Sequence, residues 1–176
     1  MAIAIAKIFL PNFWQRLEQQ KARWHDWAQL KVYQQSNIVL ALPTAGENRV
    51  VFFGDSITEF WDLANAFPGK NYINRGISGQ TTSQMLIRFR PDAIALRPKV
   101  VVILAGINDI AGNTGPISLE AIADNYASIA QLAKINSMSV VLASVLPIDD
   151  RSPLKLSDPH APEKIRALNN WLRLYC

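Results

Sequence analysis

Cysteine is nearly absent. A single one, Cys176, stands at the last of the 176 positions, which excludes an internal disulfide and any multi-cysteine metal site. Histidine is scarce too: His25 and His160 are the only two, too few to suggest zinc, and no cofactor is implied. No apolar run approaches the roughly 18 residues that span a bilayer. Charge of one sign is not in surplus either, with 18 Lys and Arg against 14 Asp and Glu. Six of those cations and three of those anions fall in residues 1–49, leaving the main body nearly neutral. A nucleic-acid binder carries a clustered basic face instead, so no such partner is expected. Internal repeats and low-complexity tracts are missing. The opening "MAIAIAKIFLPN" is apolar, but Lys7 lies inside the run and no small-residue cleavage site follows. It reads as a packed arm or a tag rather than a signal peptide; the compartment stays open, with a lean to the cytoplasm.

What is present is an ordinary apolar content, 49%, arranged in alternation. Asn12 to about Tyr33 reads as a helix: Trp14, Leu17, Trp24, Trp27 and Ala28 recur at helical spacing, Asn12 can cap it, and Gln15 stands three residues on. Its apolar face is expected to pack on the body, with a substrate lid or a membrane-surface contact as the other readings. "LPTAGEN" is a loop. Val50–Phe53 reads as a short buried strand, followed by a helical stretch from Ser56 to Asn65. "NYIN" is a second strand, and Thr82–Phe89 a helix ending before Pro91. "KVVVILAG" is the clearest strand. Leu119–Ile135 is an amphipathic helix, "SVVLASVLP" a fourth strand, and Pro162–Tyr175 a last helix with proline in its first turn.

Strands that are apolar throughout and alternate with helices argue for a parallel sheet covered on both faces. The expected fold is a flavodoxin-like three-layer doubly wound α/β sheet of order 2-1-3-4, with an extra N-terminal helix. Residues 1–48 are expected to form the arm and helix, and residues 49–176 the main domain. After the last helix this fold ordinarily continues to a fifth strand, and here no residues remain for one. Strand 4 is then an open edge, which a homodimer contact could cover. The chain is expected to be shortened.

In an open sheet of this kind the ligand site lies beyond the carboxyl ends of the strands, near the point where strand order reverses. Three segments arrive there: "GDSIT" after strand 1, "NRGISGQTT" after strand 2 and "AGIND" after strand 3. Ser56 would be lifted out of the sheet on a turn between the other two. The N–H of Ser56 or its neighbour, the N–H of Gly79 and the carboxamide of Asn108 then offer three donors to one developing oxyanion. Such donors are a leading source of rate in acyl transfer. Asp55 and Asp109 are expected to hold turns rather than transfer protons. Arg75 is read either as an ion-pair partner or as a rim residue, and Asp149, Asp150 and Arg151 as a solvated loop.

These three segments, in this order, resemble the SGNH hydrolases, also called GDSL esterases and lipases, over about residues 49–176. The resemblance identifies Ser56 with the family's nucleophile, Gly79 with the glycine of its second block, and Gly106-Ile107-Asn108-Asp109 with its Gly-x-Asn-Asp block. "SVLP" and "EKIRALNNWLR" look like the fourth strand and following helix, in the sub-group of small esterases with lysophospholipase-like and platelet-activating-factor-acetylhydrolase-like members. It implies a small-molecule ester substrate. The family's fourth block, Asp-x-x-His, does not occur in these residues. His160, in "LSDPHAPEK", has the wrong place in the family order. A substitute base, a contact at the substrate rim and an exposed loop residue are its three readings, while His25 reads as surface or packing.

The leading expectation is therefore an ester hydrolase acting through an acyl-Ser56 intermediate, strongly impaired without its His and Asp, because serine needs an adjacent base. The competing readings are a non-catalytic module of the same fold that holds an acyl group or anion, and a flavodoxin-like anion binder at the helix starts near Ser56 and Thr82. The last has neither Gly-x-Gly-x-x-Gly nor a phosphate-loop lysine behind it.

Overall fold

The computed structural model describes residues 13, 15, 25–147 and 159–176. Four strands, β1 (Val50–Gly54), β2 (Tyr72–Gly76), β3 (Val100–Leu104) and β4 (Ser139–Leu142), form one parallel sheet of order β2-β1-β3-β4. This is the expected doubly wound arrangement. The register sets Phe53 opposite Arg75 on one side and Ile103 on the other, and Gly54 opposite Gly76 and Leu104. The three strand ends that carry the motifs are thus level.

Successive side chains along a strand point to opposite faces, and β1 shows the result. Val51 and Phe53 face a thick layer built by three helices: α4 (Thr82–Asp92), α6 (Leu119–Ile135) and α7 (Ala161–Tyr175). Phe53 meets Phe89 of α4 edge to face at 5.3 Å. Helix α6 presents Ile122, Tyr126, Ile129 and Ala133 at spacings of three and four, all buried. The Tyr126 hydroxyl donates to Ala105 O and accepts from Ala105 N–H, at 2.9 and 3.0 Å, so a polar tip sits in this core without an unpaired group. Phe52 points to the other face, where Trp61, Phe67 and Tyr72 surround it with ring centroids 5.3–5.7 Å away. Two single-turn helices, α2 (Ser56–Glu59) and α3 (Leu63–Ala66), lie along that side.

Four expected boundaries change most. The fourth strand, expected over "SVVLASVLP", ends at Leu142. The helix expected over Ser56–Asn65 is two helices, because Asp62 caps a new start: it accepts from Asn65 N–H at 3.1 Å. Helix α4 runs past Pro91 to Asp92. Proline in the last turn loses only its own N–H bond, and the freed end is held from outside by Asn37, which donates to Pro91 O at 3.1 Å and to Asp92 Oδ1 at 2.7 Å. The expected first helix does not reach Tyr33. Helical backbone is seen at Phe13, Gln15 and His25; the chain then turns, with Gln29 at φ 58° and Asp26 accepting from Leu30 and Lys31 N–H. A separate helix, α1 (Gln34–Val39), follows. Most of the expected first helix, including Asn12, Trp14, Leu17 and Trp24, lies outside the described residues, as do Asp149, Asp150, Arg151 and Asp158.

The segment between His25 and Val39 is tied to α4 and β2 by hydrogen bonds. Gln84 Nε2 donates to Trp27 O at 2.6 Å, Gln80 Nε2 to Ala28 O at 2.9 Å, and Arg75 Nε to Asn37 Oδ1 at 2.9 Å. Tyr33 donates to Gly76 O, with the Arg75 guanidinium stacked on its ring. Among the described residues no helix is long and apolar enough to cross a membrane. At the opposite edge, Val141 of β4 is about half exposed.

Candidate active site

The turn after β1 is compact because two glycines let it be. A Cβ on Gly54 would stand 2.1 Å from Thr58 Oγ1, and one on Gly76 would stand 2.1 Å from the Glu59 backbone nitrogen. Helix α2 is thereby pressed against the ends of β1 and β2. Its N-cap is Asp55, whose Oδ1 accepts from Ile57 N–H at 3.0 Å. This matters chemically. "SITE" has the Ser-x-x-Glu spacing in which the serine hydroxyl would cap the helix and be consumed. With Asp55 as cap, no hydrogen-bond partner is found for Ser56 Oγ among the described residues. The Ile57 N–H is committed to the cap, which leaves that of Ser56 as the turn's backbone donor.

The second segment follows β2. Gly79 adopts φ 76°, a conformation that favours glycine, and its carbonyl accepts from Asn113 Nδ2 at 3.1 Å. Gln80, next to it, is buried and has every side-chain polar atom engaged. It donates to Ala28 O and Gln29 Oε1, and accepts from Arg88 Nε. Arg88 is fully buried. Its guanidinium stacks on Phe53 with 4.2 Å to the ring centroid, donates to Gly54 O at 2.9 Å and Arg75 O at 3.0 Å, and pairs with Asp92 at 3.2 Å. Burial lowers its pKa to about 10 against the opposing pull of Asp92, which leaves it charged at neutral pH. One side chain thus ties together the ends of β1 and β2 and the loop after β2.

The third segment follows β3. Gly106 opens the one-turn helix α5 (Ile107–Ile110) at φ 102°, where a Cβ would press on Leu168 at 2.7 Å. Asn108 Nδ2 donates to Gln80 O at 3.0 Å and to Asp55 Oδ2 at 3.3 Å, and its Oδ1 accepts from Asn113 Nδ2 at 2.9 Å. The carboxamide is therefore held by the residues directly adjacent to Ser56 and Gly79, and the three segments meet. Asp109, the next residue, holds a different turn. It accepts from Thr82 N–H and from the Thr82 hydroxyl, at 2.9 and 2.6 Å, fixing the start of α4.

Both aspartates hold turns, as expected. Burial raises the Asp55 pKa to about 6, the Ile57 N–H opposing and nearby Asp109 adding to the rise. Burial also raises that of Asp109, against its bonds from Thr82. Arg75 stacks on Tyr33 and binds Asn37 and its own neighbour's carbonyl, Asn74 O; burial lowers its pKa, with Asp92 pulling the other way. His160 stands apart from these contacts. It precedes α7 with its ring exposed and Nδ1 3.4 Å from Glu163 Oε2. A hollow of about 390 Å³ lies beside the next turn, lined by Asp109, Ile117, Leu119 and Lys164 among others but not by Ser56, Gly79 or Asn108.

Sequence reasoning missed Gln80, Arg88, Asn74 and Glu59, which hold the cluster. Asn74 Nδ2 donates to Thr58 O at 2.6 Å and Trp61 O at 3.2 Å, while its Oδ1 accepts from Gly76 N–H. The only signal in the sequence was polar residues inside apolar elements: an asparagine in β2 and an arginine on the apolar side of α4.

An open parallel sheet of order β2-β1-β3-β4, with serine, glycine and asparagine turns meeting over its carboxyl end, defines a doubly wound α/β protein whose candidate site lies at those strand ends. The profile of the GDSL-like Lipase/Acylhydrolase family matches residues 52–176, and the chain belongs to that family. A GDSL-like lipase from Bacteroides thetaiotaomicron is 46% identical, with TM-score 0.79 over 84% of this chain and 73% of its own. A Bacteroides fragilis protein named as an acylhydrolase is 44% identical, with TM-score 0.80 over 85% of this chain and 72% of its own. The uncharacterized lipoprotein YqeF of Bacillus subtilis is 30% identical over 58% of this chain and 50% of its own length. The chain thus spans half the length of that curated relative. Family membership supports acylhydrolase or esterase activity in general.

Proposed function

We propose that the chain is a serine ester hydrolase in which Ser56 is the nucleophile and the N–H of Gly79 and the carboxamide of Asn108 form the oxyanion hole. The observation that carries this reading is the pair of bonds from Asn108 Nδ2 to Gln80 O and Asp55 Oδ2. They bring the third donor against the neighbours of the other two groups. Ser56 Oγ attacks the ester carbonyl carbon, and the oxygen takes the negative charge. It replaces the longer of Asn108's two bonds, that to Asp55. The alcohol leaves with a proton, and water then cleaves acyl-Ser56 to the acid and the free serine.

Attack needs a base. Asp-x-x-His does not occur in these 176 residues, and His160 is tied to its own helix start. Turnover by these residues alone is therefore strongly impaired. An oxyanion hole with binding still supports a residual acceleration of about 10³–10⁴ over water in serine proteases stripped of triad members.

A fluorophosphonate probe tests the site. Slow labelling at Ser56 over long incubation, as a serine without an adjacent base gives, found by peptide mass and lost in Ser56→Ala, is the expected result; a wild-type chain that never labels at Ser56 even then overturns the reading. The alternative is a binding module of the same fold that holds an acyl group or anion. It predicts retention of a short fatty acid on the folded chain with no labelling.

A further inference from the structure

We infer that Glu59 is a positioning residue that sets the gap between the Ser56 hydroxyl and the Gly79 N–H. The inference rests on the proposed roles of those two groups. Ser56 and Glu59 are the first and last residues of α2, so one helical turn fixes the carboxylate relative to the hydroxyl. The Glu59 carboxylate does not turn back to cap that helix, since Asp55 does so. It reaches across to the loop after β2 and takes both donors of Ser78: the backbone N–H at 2.7 Å and the hydroxyl. Ser78 is the residue before Gly79. Holding its N–H fixes one side of the peptide unit pair that aims the Gly79 N–H, and Asn113 holds the other side through Gly79 O at 3.1 Å.

The carboxylate can act as a fixed arm because α2 cannot slide. Gly76 leaves no room behind Glu59 N, and Asn74 grips the carbonyls of Thr58 and Trp61. The arm contributes little to folding, because Glu59 and Ser78 are both exposed, and hydrogen bonds of exposed charged groups add little to stability. Acyl transfer is far more sensitive: misplacement by about 1 Å can cost 10²-fold in rate. A solvent-facing carboxylate bound to both donors of one loop residue is thus dispensable for the fold and needed for alignment.

The test uses the 176-residue chain and the rate of fluorophosphonate labelling at Ser56. In that reaction the Oγ–P bond forms, fluoride leaves and the hydroxyl proton passes to solvent, with the phosphoryl oxygen in the oxyanion position. Glu59→Ala is expected to lower the maximal labelling rate about 10-fold or more, with the half-saturating probe concentration and the melting midpoint nearly unchanged. Glu59→Gln keeps an acceptor oxygen and is expected to stay within about threefold of wild type. The amide resonances of Ser78 and Gly79 shift in Glu59→Ala and return towards wild type in Glu59→Gln. Equal labelling rates in Glu59→Ala and wild type, with Ser56→Ala silent, overturn the positioning role and leave the proposed function standing. No labelling of the wild type overturns the function, and the positioning role falls with it.

Discussion

The two flanks of the sheet are held together by different physics. Among the described residues, every buried polar or charged side chain lies between Arg49 and Asp109. That stretch carries β1, β2, β3 and α4. The flank made by β4, α6 and α7 buries Ile122, Ile129, Ile165, Leu168 and Leu172 instead, with Tyr126 bonded at its tip. Buried polar groups are costly unless paired, and an all-apolar flank would be simpler to stabilise. What the polar flank gains is direction. Apolar contacts fix how close two elements lie, but a hydrogen bond fixes which atom faces which. The loops that carry Ser56, Gly79 and Asn108 all leave the polar flank, and their neighbours Asp55 and Gln80 are among its buried members.

Breaking the polar flank at its centre has the largest expected effect. Arg88→Met takes one donor from each of the carbonyls of Gly54 and Arg75, from Gln80 Oε1 and from the Asp92 carboxylate, which retains Asn37. Removing one member of such a pair costs about 3–5 kcal/mol, which urea denaturation would measure as a lowered midpoint at unchanged slope. A loss under about 1 kcal/mol would show that the flank relaxes as an apolar one does.

Titration gives a second, smaller perturbation at the same flank. Asp55 has a folded pKa near 6 and an ordinary one near 3.9 when unfolded. Between those values the unfolded chain has released this proton and the folded chain still holds it. Stability is greatest below about pH 4, falls as pH rises to about 6, and then levels off. The change is roughly 3 kcal/mol at 1.36 kcal/mol per unit. Asp55→Asn should remove most of this slope, leaving the contribution of Asp109, which has the same sign because its pKa is also raised. An unaltered slope would place the titrating group elsewhere.

The apolar flank offers the smallest effect and the control. Val141 is half exposed on the β4 edge, and Val141→Thr keeps the branched side chain a strand prefers. Its melting midpoint should move by an amount equivalent to less than about 0.5 kcal/mol. A large loss would mean that the edge is packed against something in solution, a second copy included, and that the two flanks differ less.

Much of this was legible in the order of residues. Helix α6 was read with its observed ends, since Ser118 caps it by accepting from Ala121 N–H and its apolar residues recur every three or four positions. The β3 run was recognisable because a strand covered on both faces is apolar throughout. The helix expected after Ser56 is too long because Asp62, whose cap bond to Asn65 N–H is local, passes for an ordinary exposed helix residue. The end of α4 was read too short, because the group that steadies its last turn, Asn37, lies 54 residues before Pro91. The candidate site was legible as three motifs, each following a strand, but its framework was not. Glu59 looks like a helix cap, while Asn74 inside β2 and Arg88 on the apolar side of α4 are visible as polar residues whose partners the sequence does not name.

The sequence by itself determined the alternation of strands and helices, the parallel sheet and the three turns that face one end of it, because periodicity and glycine placement act over a few residues. Only the tertiary structure decided that Asp55 rather than Ser56 caps α2, that Glu59 serves Ser78, and that Arg88 is buried among carbonyls of two strands. The last two of those choices are hydrogen bonds between groups 13 to 34 residues apart, and their partners meet only once the sheet has brought the strand ends level.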